Sequence, residues 1–468
     1  MSGGSEDTAL APHRWDGGLR VAPWRRILSV LVAAALLLPG SAAANESCHY
    51  ELLAPYDFSP PPGPAYRWLA QGALDRDVET RLPDGIVVAL EKLPRRALGD
   101  PDPRTWLRPY PVAGHATQAR QSLADAALSH PRMQVPTHVM RYRGGAPCLL
   151  ATRYDGGTAR RCDGAQRIAP FTAATAIAAM ERTVESELGA ALDTGRFTHL
   201  LVLSMGWAND QCVSLGRYRE MLREAGGLGG DPSFRPYVLG LTWPSAWFST
   251  AGGPAAGLGH IGSYFNKAGD ADEAGLLVAN VLLNRTIPRA NARAGLPVVL
   301  VGHSMGARLL SRALMSRPLL RDPGPRDDAD LALLLQPALS AMRFHPGAGV
   351  EGAPYAATAF PPGARPTTPI VATTSRCDAA NPVALWSAFL GSERGRRWAA
   401  RRPATFCVSP PLRSGAAAAD WAGRVRAARP GCVAVANATF VGEHNDILDA
   451  EAGAFLRGLV LGLGRTAR

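Results

Sequence analysis

From residue 171 onward the apolar positions keep two alternating rhythms. Ala176, Ile177, Met180, Val184 and Leu188 recur at helical spacing and predict an amphipathic helix over 171–193. Phe197–Ser204 then reads as a strand, 211–224 as a helix, Tyr237–Trp243 as a strand and Ala274–Asn284 as a helix. Val298–Val301 is a short β-branched run bounded by Pro297, the pattern of a strand buried on both faces. Leu331–Leu339, Ile370–Thr374 and Val433–Ala438 predict three more strands, and Ala450–Leu463 a closing helix. Strands alternating with helices predict an α/β fold, a mostly parallel sheet with helices on both faces. In such sheets functional groups gather at the carboxyl ends of the strands.

The pattern before residue 171 is different. Residues 45–170 are rich in proline and turn residues, as in Ser59–Pro64 and Gly99–Pro103. Short apolar runs, Gly85–Leu90 and Val139-Met140, predict a few strands. This region reads as an irregular, partly β N-terminal extension or small domain. Residues 1–44 read as a signal peptide. Arg20, Arg25 and Arg26 precede the apolar run Ile27–Leu38, Pro39-Gly40 breaks it, and Ser41–Ala44 supplies small residues for cleavage. The run is short for a membrane span, and the alternative is an uncleaved anchor. The division is therefore 1–44, 45–170 and a main domain at 171–468.

Composition changes this picture little. A hydrophobic content of 47% is ordinary for a globular core. The net charge of +11 comes almost wholly from scattered arginines, which argues against a nucleic-acid partner. The seven cysteines all follow the expected cleavage point, and in an exported protein that favours disulfides. Cys148 and Cys162 flank the turn signal Tyr154–Gly157 and suit a bridge across a hairpin. One further bridge is expected among Cys377, Cys407 and Cys432. No C-x-x-C is present, and no metal or cofactor is implied.

Candidate chemistry centres on Pro297–Leu314. Its strand run leads through Gly302-His303-Ser304-Met305-Gly306 into a helical period at Ala307, Leu309, Leu310, Ala313 and Leu314. Glycines at 302 and 306 free a tight strand-to-helix turn from side-chain clashes, so that Ser304 stands at its tip. Here the chain resembles the α/β-hydrolase superfamily of serine hydrolases, the esterase and lipase type. The resemblance spans roughly residues 195–468.

The resemblance implies an order of nucleophile, acid and histidine. Asp378 follows Ile370–Thr374 and is the expected acid; His444 follows Val433–Ala438 and is the expected base. Asp446 and Glu443 are alternative acids, and His345 is a rival base. His303 is expected to pack on the sheet or line the pocket. The resemblance also implies backbone donors to an oxyanion at Met305 and at Trp207, with Gly206 as the alternative to Trp207. Met205 stands where the family usually has histidine, a change the role of a backbone donor tolerates. Ser204-Met205-Gly206 echoes the nucleophile motif, but Val202 breaks the pattern and no helix start is expected at Ser204.

The expected function is an exported, periplasmic or secreted serine hydrolase that cleaves carboxylic esters. Its partner is a small-molecule or lipid-like ester substrate, with a membrane involved only if the N-terminal segment stays uncleaved. Acyl transfer or amide cleavage by the same triad, and a non-catalytic binding protein on this scaffold, are the alternatives. The aromatic, glycine-rich stretch 244–272 reads as a lid, a pocket wall or a packed loop.

Overall fold

The computed structural model describes residues 82–99, 106–107, 132–144, 146–153, 161–207, 209, 211–245, 267–324, 329–345, 368–378 and 389–463. The expected leader at 1–44, and 246–266 of the stretch 244–272, lie outside the described residues, as do Cys48 and the Cys212 side chain.

Eleven strands form one sheet. In chain order they are β1 (Gly85–Pro94), β2 (Arg132–Arg143), β3 (Ala146–Thr152), β4 (Arg161–Arg167), β5 (His199–Ser204), β6 (Pro236–Thr242), β7 (Val298–His303), β8 (Leu331–Leu335), β9 (Ile370–Thr374), β10 (Phe406–Leu412) and β11 (Val433–Ala438). Their spatial order is β10-β11-β9-β8-β7-β5-β6-β1-β2-β3-β4. Every pairing from β10 across to β1 is parallel. The sheet is therefore mixed but mostly parallel, as expected. The strands β1–β4, from the region before residue 171, are hydrogen-bonded into this same sheet, with β2 antiparallel to both β1 and β3.

Alternate residues of the central strands feed two cores, the consequence of a side-chain period of two. Leu200, Val202, Leu239, Leu241 and Leu300 point to one face. They meet α1 (Ala173–Leu192), α3 (residues 267–290) and α4 (Met305–Leu314). Leu201, Leu203, Val238, Val299 and Val301 point to the other, against α2 (Gln211–Glu224), α6 (Gly415–Ala428) and α7 (Ala450–Leu463). α1 begins with a capping box, in which the Thr172 hydroxyl accepts from Thr175 N. α5 (Glu393–Ala400) lies before β10 and starts on a Ser392 cap. α3 runs longer than its apolar period predicts and contains two π-helical segments, Gly275–Ala279 and Leu282–Thr286.

Two details depart from the sequence reading. β8 ends at Leu335 rather than 339, because Gln336 turns the chain with φ 42°. Cys148 and Cys162 are bonded, but their strands pair in parallel, so the bridge does not span a hairpin. The second bridge joins Cys407 and Cys432, tying β10 to the entry of β11 and leaving Cys377 exposed and unbridged. Among the described residues no helix is long and apolar enough to cross a membrane.

Candidate active site

Ser304 lies between β7 and α4 at φ 54°, ψ −120°, a backbone region that side chains other than glycine seldom adopt. Its surroundings leave no room for larger neighbours. A Cβ at position 302 would stand 2.5 Å from Ala307 Cα, and one at 306 would stand 2.1 Å from Ser204 O. The Ser304 backbone is fixed on both sides: its N–H donates to Leu335 O and its carbonyl accepts from Ala338 N, each at 3.0 Å.

β7, β8, β9 and β11 run parallel and adjacent, so their carboxyl ends share one edge of the sheet. Asp378 follows β9 and His444 follows β11, and the two side chains meet there. His444 Nδ1 lies 3.0 Å from both Asp378 oxygens. The carboxylate is wholly enclosed while the imidazole stays 16% exposed. A carboxylate accepts, so Nδ1 carries the hydrogen of this bond, and in the neutral form of the ring the lone pair is on Nε2.

Ser304 is brought beside this pair through its neighbour. His303 Nε2 donates to the His444 carbonyl at 3.0 Å, and the two rings lie 4.7 Å apart. Among the described residues no hydrogen bond joins Ser304 Oγ to His444, a contact that is often long before substrate binds. Burial, reinforced by His444 and Arg217, holds the His303 pKa well below the ordinary histidine value, so its ring stays neutral. Arg217 on α2 donates to Asn445 at 2.9 Å and anchors the loop that carries His444.

The other candidates are engaged elsewhere. Asp446 accepts from the backbone of Gly442 and Glu443, closing the turn before His444. His345 bonds Thr405 and packs on Trp398. Ser204 is fully buried, and its hydroxyl has no partner among the described residues.

Gly206 presses directly on Ser304. A Cβ there would lie 2.5 Å from Ser304 Cβ and 3.0 Å from Oγ. The carbonyls of this segment are held by side chains that sequence reasoning missed. Trp243 Nε1 donates to Met205 O at 2.9 Å. Asn209 Nδ2 donates to Gly206 O at 3.0 Å and to Trp207 O at 2.9 Å. Ser245 Oγ in turn holds Asn209 N. In a trans peptide the C=O and N–H point in opposite directions. Holding the carbonyls of Met205 and Gly206 therefore also fixes the direction of the Gly206 and Trp207 N–H groups, opposite to those bonds. Met305 N opens α4, where backbone donors have no partner inside the helix.

α3 carries two groups of buried ions. Asp272 accepts from Arg308, in the first turn of α4, and from Arg343. Burial alone would raise its pKa, but the two guanidinium groups outweigh it and hold the carboxyl well below its ordinary range. Nearby on α3, Asp270 pairs with Lys92 and Lys267, and Glu273 with Lys92. Burial pushes Glu273 up to about 7.

No protein-family model matches the sequence, and no curated protein matches it significantly. Among solved structures, the crystal structure of TT1662 from Thermus thermophilus is similar at 15% identity, over 58% of this chain and 89% of that one, with a TM-score of 0.28.

Proposed function

We propose that the chain is an exported serine hydrolase of the α/β-hydrolase type that cleaves carboxylic esters. The observation that carries the reading is Ser304, held in a strained turn between a parallel strand and a helix on the same sheet edge as the Asp378–His444 pair. Strain of about 1–3 kcal/mol at a single residue persists where the surrounding structure imposes it, most often at functional sites.

In this reading Ser304 Oγ attacks the ester carbonyl carbon, and His444 Nε2 takes the hydroxyl proton. Asp378 fixes the imidazole tautomer and stabilises its charged form. Negative charge on the tetrahedral oxygen is met by the N–H groups of Met305 and Trp207, with Gly206 as the alternative to Trp207. Two such donors lower the barrier by several kcal/mol. Collapse expels the alcohol, which takes the proton from His444, and water activated by the same base then releases the acid. The disulfides Cys148–Cys162 and Cys407–Cys432 fit an oxidising, exported setting.

The test is turnover of p-nitrophenyl esters of graded acyl length by the purified protein and by Ser304→Ala. Hydrolysis lost by at least about a thousandfold in the variant supports the reading. Equal rates in both would sink it.

A further inference from the structure

We infer that Gln336 is a positioning residue that locks the Asp378 carboxylate and couples it to the Ser304 turn. The inference rests on the triad reading above. Gln336 follows β8, is fully buried, and adopts φ 42°, one of two positive values among the described residues other than glycine; Ser304 holds the other. A buried glutamine in a left-handed conformation is costly, and such strain persists where neighbours impose it.

Those neighbours are the catalytic candidates. Leu335 O and Ala338 N, on either side of Gln336, hold the Ser304 backbone. Gln336 N donates to Thr373 Oγ1 at 2.9 Å, which joins the same turn to the end of β9, just before Asp378. The carboxamide orientation that satisfies both of its polar atoms puts Nε2 3.0 Å from Gly391 O and 3.3 Å from Asp378 Oδ2. One short turn therefore grips the nucleophile through its backbone and the acid through its side chain. An amide donor suits this place because it restrains a carboxylate without adding charge.

The test uses the rate at which a fluorophosphonate probe labels the protein across pH, in the parent, Gln336→Met and Gln336→Glu, with Ser304→Ala as control. Methionine keeps the bulk but loses the donor, and labelling is expected to slow about tenfold with the pH profile retained. Glutamate adds a negative charge beside Asp378, which favours imidazolium at His444, so the acidic limb is expected to move up by about one pH unit. Besides Asp378, the titratable and charged groups around His444 among the described residues are His303 on β7, Arg217 on α2, and Glu443 and Asp446 on its own loop; these variants leave all of them in place. A merely space-filling Gln336 would leave the labelling rate of Gln336→Met at the parent's. Folded variants that label at the parent's rate with the parent's limb overturn the inference. Loss of the folded state in both variants also overturns it, by making Gln336 structural. If the parent does not label, or Ser304→Ala labels equally, the hydrolase reading has failed instead.

Discussion

Gly206 and Ser304 come so close that a single methyl group separates two outcomes. Alanine at 206 would put its Cβ 2.5 Å from Ser304 Cβ, on the face where an oxyanion would be bound. We expect Gly206→Ala to label with fluorophosphonate at least about a hundredfold more slowly. Its thermal melt should fall as well, because Ser304 Cβ is set by a backbone held on both sides and the His303 carbonyl lies 3.1 Å from the added carbon, so no side-chain rotation relieves the clash. Labelling at the parent rate would remove Gly206 from the site. Much at this scale was legible in the sequence. Glycines 302 and 306 announced the turn because their effect is local. Asp378 and His444 were singled out by their places after β9 and β11, and their side chains meet. Gln336 and Asn209 were missed because an amide's partners depend on which loops the sheet brings together. The only local sign at Asn209 was its place in the segment already singled out after β5.

The loop from β5 to α2 shows the same limit at the scale of elements. Its strand and helix were read nearly to the residue, yet the pins that shape it, Trp243 and Ser245, come from the next strand crossover. We expect Asn209→Leu to slow labelling by roughly ten- to a hundredfold, because two carbonyls lose their donor and the N–H groups lose their aim. The fold should lose about 1–2 kcal/mol, read from a denaturant melt. A variant destabilised to that extent but labelling normally would contradict the role of Asn209. β10 escaped notice for a physical reason. Pro410 and Pro411 interrupt its apolar pattern, and such residues are tolerated because β10 is an edge strand. The parallel pairing of β3 with β4 was hidden by a turn signal that resembled a hairpin's. The overlong reading of β8 came from an apolar run that continues past the Gln336 turn.

Over the whole molecule, buried titratable groups tie stability to pH in opposing directions. Burial lowers His138 to about 3, despite a hydrogen bond with Gln211 that opposes it, and lowers His303 as well. Below the unfolded value of 6.5 the unfolded chain takes up protons these rings refuse, so stability falls as pH drops. Glu273 acts in reverse. Its folded pKa of about 7 exceeds the unfolded 4.5, so the native state holds a proton that the unfolded chain has released. That contribution is lost as pH rises from 4.5 through 7. Glu273→Gln should therefore lose less stability than the parent between about pH 5 and pH 8, measured as the shift in denaturant midpoint. The same shift in both proteins would show that Glu273 is ionised in the native state. The mostly parallel sheet and its two covered faces were legible from the alternation of strands and helices. Continuation of the sheet through β1–β4 was not, because short apolar runs amid proline-rich connections do not show which strands they pair with.

The central claim is that Ser304 is an activated nucleophile. The measurement that tests it most directly is fluorophosphonate labelling of the purified protein, with the modified residue located by peptide mass. The account expects the probe on Ser304, with labelling lost in Ser304→Ala and reduced at least about a thousandfold in His444→Ala. A folded protein that takes up no probe, or takes it up on another residue, would contradict it.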